Sequence, residues 1–207
     1  MFITFEGPEG AGKTTILARV ATRLKELGEV LVTREPGGIK IAEKIRAIIL
    51  DPEHIEMDER TEALLYAAAR SQHYFERVAP ALQQHKIVLC DRFIDSSLAY
   101  QGYARGLGIK DVLKINQFAI GNIMPDITIL FDIEPAVGLA RIAANDTREI
   151  NRLDKESLAF HEKVRAGYKE VAKMYPERTI IIDADDKIEV VEEKVWQALL
   201  ARLNKSE

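Results

Sequence analysis

Eight residues near the start of the chain, Gly7-Pro8-Glu9-Gly10-Ala11-Gly12-Lys13-Thr14, match the spacing G-x-x-x-x-G-K-[ST] of a Walker A phosphate loop. The chemistry follows from the residue types. Glycines let successive backbone N–H groups turn inward around phosphate oxygens, and the N-terminus of the helix that follows adds its positive end. Lys13 supplies a point charge near the β- and γ-phosphates, the Thr14 hydroxyl is a ligand for Mg²⁺, and Thr15 carries the run into the helix. The pattern therefore predicts binding of a nucleoside triphosphate with Mg²⁺. It does not separate a kinase from a switch or a motor, which share the cradle and differ in what receives or senses the γ-phosphate. A second anion site would favour transfer to a small acceptor.

Three segments have the composition of such a site. Thr33-Arg34-Glu35-Pro36-Gly37-Gly38 and Cys90-Asp91-Arg92-Phe93 each follow an apolar strand-like run, at the strand ends where α/β proteins bind ligands. The stretch from Asp95 to Gly102 (DSSLAYQG) comes next, with Asp95 placed to cap a helix. Asp91, at the end of its strand, suits the role of orienting Mg²⁺ through water. Tyr66 and Arg70 stand four residues apart on a helical pattern, so ring and guanidinium share a face that could stack a nucleobase and bond its edge.

These residues need a frame, and the pattern supplies one. Short β-rich runs at Phe2–Glu6, Val30–Thr33, Ile87–Cys90, Ile127–Asp132 and Thr179–Asp183 are nearly continuous in apolar residues, as in strands buried on both faces of a parallel sheet. Between them lie helical patterns. One carries Ile16, Leu17, Val20, Ala21, Leu24 and Leu27 on one face and stops at Gly28; another carries Ile41, Ile45, Ile48 and Ile49. A long one runs from Asp58 to about Gln84, with Pro80 expected to force a kink or a restart. Others cover Lys110–Ile120, Pro135–Ala144, Glu156–Tyr175 and Ile188–Leu203. Strands alternating with helices predict a doubly wound α/β fold.

All 207 residues read as a single domain, with a polar stretch at 145–155 (NDTREINRLDK) as a short lid. A net charge of −4 argues against general nucleic-acid binding. No apolar run approaches the roughly 18 residues of a membrane helix, the start does not read as a signal peptide, and one cysteine, Cys90, makes no intrachain disulfide. A cytoplasmic protein is the expectation.

Taken together, FEGPEGAGKTT, TREPGG, RTEALLYAAAR, DRFIDSSLAYQG, PDITILFD and NRLD resemble the thymidylate kinases, P-loop enzymes that phosphorylate dTMP, over nearly the whole chain and most closely their bacterial members. The resemblance implies a nucleoside monophosphate kinase-like P-loop NTPase fold, with a five-stranded parallel sheet and ATP, Mg²⁺ and dTMP as ligands, in a homodimer. It implies that Arg92 grips the acceptor phosphate, with Arg46 also in reach, and that Glu9 lies near the acceptor sugar or a Mg²⁺-bound water. Tyr66 would be the platform under thymine, where the family more often has phenylalanine. Arg70 would bond the O4 edge, Ser97 and Gln101 the remaining polar edge, and Tyr100 would press on the deoxyribose, with Glu35 and Pro36 lining the same site. Some members carry a catalytic arginine in the phosphate loop. Here Pro8, Glu9, Gly10 and Ala11 are not basic, so a lid arginine is implied, Arg148 or Arg152, with Arg152 favoured by its place in NRLD.

Overall fold

The computed structural model describes residues 1–144 and 151–203. Five strands, β1 (Phe2–Glu6), β2 (Val30–Arg34), β3 (Ile87–Asp91), β4 (Ile127–Asp132) and β5 (Thr179–Asp183), form one parallel sheet in the order β2-β3-β1-β4-β5. β1 is buried along its whole length because it is the central strand with helices on both faces. Its side chains alternate: Ile3 and Phe5 join one core, while Phe2 joins the other.

On the first face lie α1 (Lys13–Leu24) and α9 (Ile188–Leu203), which bring Ile16, Leu17 and Val20, and Val191, Val195 and Leu199, against Ile3, Phe5 and Phe131. α1 stops a turn before Gly28 because Leu27, its expected last apolar residue, is exposed and has no packing to hold that turn. The other face carries α3 (Glu59–His73), α4 (Ala79–Gln83), α5 (Ile94–Ser97), α6 (Ile109–Ile120) and α8 (Leu158–Met174). α2 (Lys40–Leu50) packs on α3, and α7 (Pro135–Ala143) follows β4.

Two local departures from the sequence reading have physical causes. The long helical pattern starts at Asp58, whose carboxylate takes the N–H groups of Arg60 and Thr61. It then widens into an unforeseen π-helical turn, Tyr74–Val78, and restarts as α4 with Pro80 in its first turn, as one of the two expectations had it. Pro80 has no N–H to offer the carbonyl a turn back, and the widened turn absorbs that gap. Asp95 does not cap α5. It is buried inside that helix, where its carboxylate takes both Nη atoms of Arg178 (2.7 and 2.6 Å) and the Thr128 hydroxyl (3.1 Å). A buried carboxylate with a guanidinium in reach gains more from that pair than from an exposed cap. Beyond α5 the chain winds through a second π-helical segment, Leu98–Ala104.

Register does the rest. Phe5 and Arg34 both flank Asp91, so the loops after β1, β2 and β3 leave the sheet at one level, where the strand order reverses around β1.

Candidate active site

The loop after β1 closes tightly over α1. Gly10 adopts φ +71°, and a Cβ there would lie 2.1 Å from the carbonyl oxygen of Gly138 on α7. Gly138 in turn has no room for a Cβ against the Glu9 carbonyl oxygen, at 2.2 Å. The two glycines let α7 press backbone to backbone on the loop, so Gly138 belongs to the loop's construction although it lies far from it in sequence. Lys13 Nζ donates to the carbonyls of Gly7 (2.9 Å) and Pro8 (2.7 Å). Burial, assisted by Arg92, pulls its pKa down to about 8 against the opposing pull of Glu9 and Asp91. The Thr14 hydroxyl donates to Asp91 Oδ2 at 2.6 Å. A hydroxyl and a carboxylate oxygen thus converge where a hard cation would find oxygen ligands, which fits Mg²⁺.

Arg92 stands at φ +67°, a left-handed conformation that costs a non-glycine residue roughly 1–2 kcal/mol. Several bonds hold it there. Its N–H donates to the Phe5 carbonyl (3.0 Å). Nη1 donates to the Gly7 carbonyl (3.1 Å), the Ser96 hydroxyl (3.2 Å) and the Tyr168 hydroxyl (2.9 Å), and Nη2 pairs with Glu9. Tyr100 also donates its hydroxyl to Glu9 (2.7 Å). Burial alone would raise the Glu9 pKa, but Arg92 and Lys13 outweigh it and hold the carboxyl down at about 2. Beneath this pair lies Glu6, wholly buried, taking the Phe93 N–H (2.7 Å) and the hydroxyls of Ser96 (2.6 Å) and Tyr168 (3.2 Å). Burial and the nearby Asp95 push its pKa up to about 7, against the pull of Ser96 and Arg92.

A cavity of about 440 Å³ opens from the phosphate loop to the helices of the second face. Glu9, Gly10, Ala11, Gly12, Lys13, Thr14 and Thr15 line one end, with Asp91 and Arg92 beside them. Glu35, Pro36, Arg46, Tyr66, Arg70, Ser97, Tyr100 and Gln101 line much of the remainder, and Asn151 and Leu153 also reach it. Arg70 is 2% exposed and heavily committed. Its Nε donates to Glu35 (2.8 Å), Nη1 to Ser97 (2.9 Å) and to Asn116, and Nη2 to the Phe93 carbonyl (2.9 Å). A guanidinium has five N–H donors, so one on Nη2 is left over. Glu35 is itself braced by His73, whose other ring nitrogen meets Thr33 (2.8 and 2.6 Å). Asn116 gives its amide nitrogen to the Val112 carbonyl (2.8 Å), which turns its oxygen toward Arg70.

Of the expected lid, only residues 151–155 are described. Arg152 does not reach toward the phosphate loop. It sits in a short 3₁₀ turn, Arg152–Lys155, capped by Asn151, and is buried with Nε on the Ile49 carbonyl (2.9 Å) and Nη2 on Glu62. A guanidinium paired with a buried carboxylate gains more than one waiting over a solvated loop, and these bonds hold the NRLD stretch against α2 and α3. Arg148 lies outside the described residues.

Comparison with known proteins now has a geometry to explain. The family model for thymidylate kinase matches residues 5–195. The chain is 60% identical to the thymidylate kinase of Oceanobacillus iheyensis, covering 100% of this chain and 92% of that protein. It is 62% identical to that of Bacillus licheniformis, covering 94% and 92%. The chain belongs to the thymidylate kinase family. A crystal structure of thymidylate kinase from Ehrlichia chaffeensis matches with a TM-score of 0.76 at 34% identity, covering 97% of this chain and 98% of that one. Against this thymidylate kinase frame, the sequence reading missed the supporting residues. Glu6 left a signal, a charge ending an apolar strand. Glu62, Tyr168, Asn116 and His73 left none, since each looks like an ordinary helix residue until the helices are packed.

Proposed function

We propose that the chain transfers the γ-phosphoryl group of ATP to the 5′-phosphate of dTMP, giving ADP and dTDP. The observation that carries this reading is a single cavity, with Lys13, Thr14 and Arg92 at one end and Tyr66, Arg70 and Gln101 at the other. A donor cradle and a base pocket that share one space suit in-line transfer between two bound nucleotides.

The roles follow from chemistry at each end. Lys13 exchanges the Gly7 and Pro8 carbonyls for phosphate oxygens. Arg92 exchanges Glu9 for the acceptor phosphate, and Arg46, whose Nη1 now meets the Pro36 carbonyl at 3.1 Å, supports that phosphate from the other side. Glu9 is then free to meet the sugar. The acceptor oxygen is already ionised at neutral pH, so charge neutralisation and alignment do the work and no strong base is needed. Thr14 and Asp91 would hold Mg²⁺, which supplies positive charge at the β- and γ-phosphates when bound. The leftover Nη2 donor of Arg70 suits thymine O4 and repels an exocyclic amino group. Tyr66 offers the ring face, Ser97 a hydroxyl to the base edge, and Tyr100, tied to Glu9, a wall beside the deoxyribose. With Arg152 committed to Glu62, Arg148 is the arginine left to close over the γ-phosphate.

No described helix is long and apolar enough to cross a membrane, and the reading places the enzyme in the cytoplasm as a homodimer. Apolar residues on three helices that pack side by side support the second copy: Ile41 and Ile48 on α2, Leu64 on α3, and Phe118 on α6, the last 95% exposed. The test of the reaction is ADP formation from MgATP offered dTMP, dUMP, dCMP, AMP or GMP separately. The fastest turnover should come with dTMP; equal rates with purine acceptors would remove the base-pocket assignments.

A further inference from the structure

The amide of a glutamine can present either a donor or an acceptor to a ligand, and only its surroundings decide which. Gln101 lines the base end of the cavity and is almost wholly buried. Its Nε2 lies 2.8 Å from Glu62 Oε1. Glu62, one turn before Tyr66 on α3, is itself buried among cations. Its Oε2 pairs with Arg152 Nη2 and meets Arg105 Nη2 at 3.3 Å, while Arg105 Nε lies 3.4 Å from Oε1. Burial would raise the Glu62 pKa, but Arg105 and Arg152 outweigh it and hold the group ionised. An ionised carboxylate accepts and cannot donate. The end of Gln101 that faces it must therefore be the amide nitrogen, which leaves Oε1, an acceptor, for the cavity.

We propose that Glu62 is a specificity-determining positioning residue, which fixes Gln101 as an acceptor toward the base and so selects the N3–H of thymine or uracil over the N3 lone pair of cytosine. The inference rests on the dTMP reading and deepens it. The pocket then presents one donor, from Arg70, and one acceptor, from Gln101. Thymine carries the complementary pair, O4 and N3–H, whereas cytosine carries N4–H₂ and a bare N3 and is mismatched at both. Because Arg152 closes on the same carboxylate, the polarity of the base pocket is also set by docking of the 3₁₀ turn Arg152–Lys155. A base contact and a chain segment distant in sequence share one charge.

The test is Glu62→Gln, with kcat/KM measured for dTMP and dCMP in wild type and variant. A neutral amide both donates and accepts, so it permits Gln101 to flip. The dTMP:dCMP preference should fall at least tenfold, and Glu62→Asp, which keeps an acceptor-only group, should recover most of it. A loss that strikes both substrates equally and leaves the preference unchanged would overturn the proposal. A wild-type enzyme with no preference for dTMP would instead overturn the underlying base-pocket reading. A second measurement needs no folded variant: in the wild-type complex with dTMP, NMR should detect a coupling across the hydrogen bond between thymine N3 and the Gln101 side-chain carbonyl carbon. A coupling that instead links the base to Gln101 Nε2 would show that nitrogen, not oxygen, faces the base and would overturn the proposal.

Discussion

Arg92 illustrates how a single residue is made ready for a charged ligand. It carries an unfavourable backbone conformation and a guanidinium bonded to Gly7, Ser96, Tyr168 and Glu9, and on the proposed reading Glu9, the one carboxylate among them, gives way to a phosphate. Glu6 and Tyr168 set that aim from below without reaching the cavity themselves. We predict that Tyr168→Phe lowers kcat about tenfold, equivalent to about 1.4 kcal/mol of barrier, while KM for ATP changes little. Steady-state kinetics would check this, and an unchanged kcat would mean that Ser96 alone suffices. Lys13 offers a second residue-scale outcome. Its pKa near 8 in the free enzyme means that it loses its charge as pH rises through that value, so kcat/KM for ATP should fall above about pH 8 and hold steady below it. A flat profile from about pH 7 to 9.5 would show that Lys13 keeps its charge over that range and would contradict the lowered pKa. Lys13 and Thr14 could be singled out from sequence because loop spacing carries their meaning, while Arg92 drew its expected role from the family resemblance alone. Glu6 could have been read from its charge, but its partners come from α5 and α8 and appear only on folding.

At the scale of elements, the 3₁₀ turn Arg152–Lys155 bears on the choice that the sequence left between Arg148 and Arg152. Arg152 is spent on docking, through Glu62 and the Ile49 carbonyl. Replacing it by alanine leaves a buried carboxylate short of a partner, a change that costs about 3 kcal/mol when such a pair is broken and should lower Tm by several degrees. Arg148→Ala should leave Tm alone and lower kcat by at least a hundredfold, as an arginine finger would. Thermal melts and single-turnover rates on the two variants distinguish the assignments, and the opposite pattern would return the catalytic role to Arg152. Strand positions and most helix spans were legible because apolar periodicity encodes them. The π-helical turns at Tyr74–Val78 and Leu98–Ala104 were not, since they answer to Pro80 and to packing against α8 rather than to a local pattern.

For the whole molecule, the parallel sheet gathers loops from β1, β2 and β3 at one edge, and α3 and α5 close the space above them. The outer faces of α2, α3 and α6 carry exposed apolar side chains. Phe118→Asp should accordingly shift the protein from dimer to monomer in sedimentation velocity; a wild type that sediments as a monomer at micromolar concentration would refute the homodimer. The fold class and the meeting of the donor and acceptor loops at one sheet edge could be read from sequence, while the proposed sharing of one cavity by two nucleotides rests on a joint lining that appears only on folding. That sharing is the central claim, and it is tested most directly by following ADP and dTDP together in one reaction of MgATP with dTMP. Matched release of the two products, with negligible ADP when dTMP is omitted, is the predicted result. ADP formed at the same rate with and without dTMP would show a nucleotide hydrolase or switch, and the acceptor site described here would be wrong.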